Sequence, residues 1–279
     1  MIPCFVYAKT LHNRMNQESK TRLKFAFRSG MSSASDLRGA IDAGVPVGVV
    51  AQRLTTRSLV LGLPNYLRAG GAVFVDSGAF SELTTGAEPD WDKVISCYET
   101  LLLMSDNVER LYVVAPDKVG DQLASLARLG KYKRRIIQLA QSGVKVIVPI
   151  QAGDLSAADV LDTIRLILEG APFVIGIPSN KEALSIEECA TLHHDAFHIL
   201  GRVQVDQLQQ ARIDALMSAS PKAELTADAS WIRSRLRDVS IKTGLVAAER
   251  QNKSFFSIDR PRAEAITSLM VADKNWGLV

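Results

Sequence analysis

Short apolar runs of strand length recur along the chain, and stretches of helix length separate most of them. The runs fall at Cys4–Ala8, Val47–Ala51, Ala72–Asp76, Leu111–Ala115, Lys145–Ile150, Phe173–Ile177, Ala196–Leu200 and Ala223–Thr226. Most are Val, Ile, Leu and Phe without polar alternation, the pattern of parallel strands covered on both faces. Between them, Trp91–Met104 places Val94, Ile95, Tyr98, Leu101 and Leu102 near a 3.6-residue period. Gln122–Ser142, with a break expected near Gly130, Ala157–Glu169, Ser185–His194 and Gln204–Ala219 also read as helices. Ser185 opens an S-x-x-E capping box, and Gly170 and Pro172 stop the helix before them. Eight strands joined by helices predict an α/β fold, a closed (β/α)8 TIM barrel, rather than an open sheet.

A barrel of this kind needs about 250 residues, so the 279 residues here predict one domain, 1–279, rather than two. Residues 232–279 read as a closing C-terminal extension with a final helix at Arg262–Val271, and Leu11–Arg28 as a polar first connection with no functional reading. Hydrophobic residues at 47% and charged residues at 23% exclude disorder, collagen and coiled coil as descriptions of the whole chain. A net charge of +3 neither demands nor opposes a nucleic-acid partner. Cys4, Cys97 and Cys189 are odd in number and far apart, which predicts a reducing compartment and neither a zinc ribbon nor a disulfide framework. No basic segment leads into a long apolar run at the N-terminus, and no stretch of 18 apolar residues occurs. The expected location is therefore the cytoplasm.

In a (β/α)8 barrel, chemistry sits at the C-terminal ends of the strands. There this sequence places Asp76, Ser77 and Gly78 after the third strand, Asp117 and Asp121 after the fourth, and Gln151 and Gly153 after the fifth. Gly176 and Ser179 follow the sixth, Gly201 and Arg202 the seventh, and Asp228 the eighth. One such Asp is ordinarily a helix cap or turn former; three on three strands, with a Gln and glycines, outline a site. His193, His194 and His198 read as helix-end or core residues, and no His stands near these ends at metal-ligand spacing. Carboxylates without a metal suit acetal-like carbon chemistry, one as nucleophile and one as acid or base. Gln and backbone groups suit the edge of a purine-like ring, and glycines let the backbone approach it. Sugar hydrolysis fits the same groups.

Five segments in order, over about residues 70–235, resemble the tRNA-guanine transglycosylase superfamily. They are DSGAF at Asp76–Phe80, VPIQAG at Val148–Gly153, VIGIPS at Val174–Ser179, FHILGRVQVDQL at Phe197–Leu208 and TADASW at Thr226–Trp231. The resemblance implies a barrel that exchanges guanine for a 7-deazaguanine base in nucleic acid. By the same resemblance Asp228 is the nucleophile on C1′ and Asp76 the general base. Asp117 and Gln151 bind the base edge, Ser77, Gly176 and Ile177 line its pocket with Gly78, and Asp121 is assigned no catalytic role and is expected at most to support the groups that touch the base.

The tRNA enzymes of that family carry a zinc held by three Cys and one His after the nucleophile, and this chain has neither residue beyond Asp228. No zinc and no cofactor are therefore expected. A short zinc-less member resembles the DNA 7-deazaguanine transglycosylases of phages and bacterial modification systems, which insert a queuosine precursor such as 7-cyano-7-deazaguanine. The partners implied are DNA, with tRNA as the alternative, and the free 7-deazaguanine base. A homodimer and helper proteins of a DNA-modification system also belong to that expectation. A hydrolase that removes the base without exchange, and a non-catalytic nucleobase binder, remain open. A polymer needs phosphate contacts. Arg128, Lys131, Lys133, Arg134 and Arg135 form one basic cluster, Arg233, Arg235 and Arg237 a second beside Asp228, and Arg202 stands alone. Tyr132 and Trp231 are aromatics that could stack on bases.

Overall fold

The computed structural model describes residues 23–31, 33–179, 183–202, 206–232, 235 and 258–273. Eight parallel strands close into a barrel in sequence order, each paired with its neighbours and the eighth with the first. In chain order the elements are β1 (Phe25–Ser29), α1 (Ala34–Asp42), β2 (Val47–Val50), α2 (Leu63–Arg68), β3 (Val73–Asp76), α3 (Phe80–Thr85) and α4 (Trp91–Met104). Then come β4 (Leu111–Val114), α5 (Gln122–Gln141), β5 (Lys145–Pro149), α6 (Ala157–Ile167), β6 (Val174–Pro178) and α7 (Ile186–Ala190). The last elements among the described residues are β7 (Ala196–Leu200), α8 (Gln207–Ala219), β8 (Glu224–Ser230) and α9 (Arg260–Ala272). The fold is the (β/α)8 barrel that the strand count predicts.

The first strand corrects the sequence reading. It is Phe25–Ser29, all but its last residue inside the stretch Leu11–Arg28 read as a connection, and Cys4–Ala8 lies outside the described residues. In FAFRS, Phe25 and Phe27 join the ring cluster of the barrel interior, while Ala26 joins the layer between sheet and helices. Arg28 is buried and donates to the Asp273 carbonyl, so the basic residue that makes this run look like a loop is tied down by the C-terminal segment. α7 covers only Ile186–Ala190, because His193 and His194 leave the helix to meet the Ala219 and Phe173 carbonyls. Ser185 does cap it, with the reciprocal Glu188 bond. α5 runs unbroken through Gly130. β8 extends to Ser230, beyond the expected Thr226, so Asp228 stands in the strand itself.

Alternation along the strands divides the core in two. Val73, Val75, Val113, Val146, Val148, Ile175, Ile177, Phe197 and Ile199 pack outward with the helices. Phe27, Phe74, Tyr112, Val114, Ile147 and Val174 fill the interior. α9 returns to α1: Arg262 pairs with the buried Asp36 at 2.7 Å, and Thr267 donates to the Gly39 carbonyl. A Cβ on Gly39 would lie 2.6 Å from the Ala263 carbonyl oxygen, so the glycine permits this close helix contact. No helix among the described residues is long and apolar enough to cross a membrane.

Candidate active site

The C-terminal strand ends carry the acidic groups to one mouth, because successive inward positions end in polar residues. On β3, Phe74 points inward and Asp76 follows two residues later; on β8, Thr226 is followed by Asp228; on β1, Phe27 by Ser29. Asp228 is buried, and its Oδ2 accepts from the Ser29 hydroxyl at 3.0 Å. Its Oδ1 accepts from the Gly201 amide at 2.8 Å and faces His198 Nε2 at 3.4 Å. Gly48 makes room for this arrangement: a Cβ there would lie 2.2 Å from the Ser29 hydroxyl oxygen.

After β3 the chain turns sharply. Asp76 Oδ1 accepts from the Gly78 amide at 2.9 Å, and Gln52 donates to the Ser77 carbonyl at 2.6 Å. Gly78 has φ +78°, and a Cβ would fall 2.4 Å from the Gln52 side-chain oxygen. Only glycine meets both demands without strain. Burial pushes the Asp76 carboxyl up to about 6, the Asp228 charge adds to the rise, and the Gly78 amide opposes it. Asp117, after β4, is buried and accepts from the Gln151 amide at 3.0 Å. Burial and then the charge of Asp76 push it up to about 7, against the Gln151 hydrogen bond and Arg128. The Gln151 side-chain oxygen accepts from the Gly120 amide at 3.0 Å, which fixes which end of the amide faces Asp117. Gln122 braces the next turn, donating to the Gln151 and Leu155 carbonyls.

The structure thus brings Asp228, Asp76, Asp117 and Gln151 together electrostatically and by hydrogen bonds. Ser77 is buried beside them, its hydroxyl accepting from the Ala79 amide. Gly176 faces the interior, where a Cβ would meet Ile147 at 2.9 Å and Leu200 at 3.1 Å. Ile177 departs from the expected pocket lining. Its side chain lies in the outer layer with Ile175 and Ile199, so it can offer the interior only its main chain. Asp121 caps α5, accepting from the Ala124 amide, and that bond together with Lys118 lowers its carboxyl. Cys189 is buried, which pushes its thiol up to about 11, and Cys97 is half-buried; Cys4 lies outside the described residues. Among the described residues no group of three or more His, Cys, Asp or Glu is placed to hold a metal ion.

The basic clusters separate. Arg128 binds Glu82 through both terminal nitrogens, at 2.8 and 3.0 Å, and donates to the Asp117 carbonyl. It is a strut between α3, α5 and the Asp117 turn, with its charge spent there. Lys133 pairs with Glu169, and Arg135 with Glu99 and Asp92. α5 starts at the mouth and runs away from it, so Lys131, nine residues in, lies about 14 Å down the barrel flank. Lys133, Arg134 and Arg135 lie lower still. Arg202 stands at the mouth, paired with Asp206 at 2.6 Å, and Arg235 pairs with Asp273. Arg233 and Arg237 lie outside the described residues. Tyr132 and Trp231 are buried in the core and offer no stacking face.

Sequence reasoning missed three features here. Phe80, directly after the Asp76 turn, is 65% exposed at the mouth. Its position inside DSGAF was the available signal. Arg53 and Arg57, exposed in the connection after β2, also belong to the mouth; nothing in their local sequence marks them. His198 is fully buried, as expected of a core histidine, yet it reaches Asp228. No protein-family model matches the chain, and no curated protein matches it in sequence.

Proposed function

We propose that the protein is a base-exchanging glycosyltransferase that replaces guanine in DNA with a 7-deazaguanine base through a covalent Asp228 intermediate. One observation carries the reading: three strand-end carboxylates converge on one barrel mouth in unequal environments. Asp228 is held by donors on both oxygens, whereas Asp76 and Asp117 are pushed to about 6 and 7. Carboxyls set apart in this way divide into a nucleophile and proton-handling groups. The ordered resemblance from DSGAF to TADASW supports the same division.

Asp228 attacks C1′ of the extruded nucleotide, and the bond from C1′ to guanine N9 breaks. The departing base takes its proton from Asp76, which near neutrality exists in both protonation states and can later accept a proton from the incoming base. Asp117 and the Gln151 amide present acceptor and donor side by side to a purine-like edge. Phe80 supplies an exposed ring on which the extruded base stacks. The phosphate footprint falls on Arg53, Arg57 and Arg202 at the mouth, with Arg233 and Arg237 belonging to it by sequence.

The experiment is mass spectrometry of nucleosides after incubation with duplex DNA or tRNA plus 7-cyano-7-deazaguanine. A modified deoxynucleoside supports the reading. Modified tRNA instead transfers the same site to RNA, and release of guanine with no insertion makes the enzyme a hydrolase.

A further inference from the structure

We propose that His198 is a positioning residue for Asp228, holding Oδ1 together with the Gly201 amide so that Oδ2 is the attacking oxygen. The inference rests on the glycosyl-exchange reading for its consequence in catalysis, and on geometry alone for the hold itself.

His198 lies on β7 with no solvent exposure. Its ring stacks on Phe74 at 4.9 Å between centroids with 14° between planes, and Phe27 stands 6.1 Å away. Nδ1 meets the Thr226 hydroxyl at 2.8 Å and Nε2 meets Asp228 Oδ1 at 3.4 Å. The chain of polar groups therefore runs from Thr226 through His198 to Asp228, two residues apart on β8, with the buried ring stacked on the face of Phe74.

The partners decide where the proton sits. A carboxylate oxygen only accepts, so the nitrogen facing it must carry the hydrogen. With the proton on Nε2 alone, Nδ1 accepts from the Thr226 hydroxyl, whose one hydrogen turns to it at 2.8 Å from the longer 3.3 Å contact with the Phe197 carbonyl. With the proton only on Nδ1, the Nε2 lone pair would face the Asp228 oxygen in a buried space, an arrangement that costs energy and is paired with nothing. Nε2 is thus the donor, whether or not Nδ1 also carries a proton.

The two oxygens of Asp228 are consequently unequal. Oδ1 receives two N–H groups, one from the backbone and one from a fully buried ring stacked on Phe74, and neither can turn away. Among the described residues Oδ2 receives only the Ser29 hydroxyl, which rotates about its C–O bond. An oxygen held by two fixed donors is a poorer nucleophile than one that can shed its single donor. Attack by Oδ2 forms the new C1′–O bond while Oδ1 keeps its partners, and the electron pair of the C1′–N9 bond leaves with the base.

The test combines a proton assignment with kinetics. In 15N-histidine spectra of the wild type, with His198 assigned by its loss in His198→Phe, Nε2 should be protonated. A deprotonated Nε2 would overturn the inference whatever the enzyme's substrate proves to be. In the exchange assay, His198→Phe keeps the ring stack and loses the donor, so kcat should fall about 10- to 100-fold with KM for the free base unchanged. His198→Gln restores an N–H near the Nε2 position and should recover most of that loss if the hold is what matters. Equal rates for Phe and wild type would overturn the proposal. So would a Gln variant no better than a folded Phe variant. If wild type exchanges no base in any nucleic acid, the glycosyl reading fails, while the hold on Asp228 is still decided by the Nε2 proton.

Discussion

On β3, Phe74 and Asp76 point the same way and stand two residues apart, yet their surroundings are opposite. Phe74 sits among Phe27, Tyr112 and the His198 ring, in an apolar layer where it carries no charge to desolvate. Asp76 sits one step further along, in a mouth that desolvates its charge. The same step occurs from Phe27 to Ser29 on β1. The lower interior stabilises the barrel, and the mouth spends some of that stability to hold carboxyls in unfavourable surroundings. The contrast makes definite demands on experiment.

The largest effect belongs to the lower layer. Phe74→Ala removes a fully buried ring and the face on which His198 stacks, and should cost about 3–5 kcal/mol in chemical denaturation. A loss below about 1 kcal/mol would mean that the ring layer is not the support described.

The mouth should respond with the opposite sign. Asp117 has its folded pKa raised from 3.8 to about 7, so its favourable contribution is complete below 3.8 and is lost as pH rises through about 7. Asn can still accept from Gln151. Asp117→Asn should therefore stabilise the protein at pH 8 by about 2 kcal/mol, raise Tm by several degrees, and lose the gain near pH 4. It should also lose base exchange. Equal Tm values for variant and wild type at pH 8 would remove the strain attributed to this end.

Proton linkage sharpens the point further. A base that donates N–H groups to Asp117 favours its ionised form, so binding below pH 7 must release a proton. Affinity for the free base should fall up to about tenfold per unit as pH drops from 7 to 6. Calorimetry in buffers of different ionisation enthalpy measures the release directly; proton uptake would reverse the assignment.

The smallest effect concerns the flank. Lys131→Ala with Arg134→Ala should leave DNA affinity and its salt dependence unchanged. Arg53→Ala with Arg57→Ala should reduce the slope of log K against log salt by about 2. A flank variant that flattens the slope would put the footprint on α5 after all.

Six of the eight strands were legible because Val, Ile, Leu and Phe dominate them, and the converging Asp76, Asp117 and Gln151 follow from where those strands end; β8, ELTADAS, was read only as far as Thr226, two residues short of Asp228. β1 was not legible, since Arg28 and the basic residues before Phe25 mask an alternation only five residues long. The site's supports were also hidden. His198 reads as core because it is core, and only the closed barrel sets β7 against β8 so that its ring meets Asp228. Gly48 has meaning only once Ser29 lies across from it. Arg128, Lys133 and Arg135 look like a phosphate-binding run in sequence, whereas Glu82, Glu99 and Asp92 on other helices and Glu169 in the turn after α6 pair with them. Ile177 was misplaced by its neighbour: in a strand, the residue after an inward glycine faces outward.

The most direct test of the division between support and chemistry is intact-protein mass spectrometry after denaturing quench, during turnover on DNA with 7-cyano-7-deazaguanine. Wild type should carry a covalent DNA adduct that maps to Asp228, Asp228→Ala should carry none, and folding of the variant should be unimpaired. An adduct on another residue, or normal exchange by Asp228→Ala, would contradict the account.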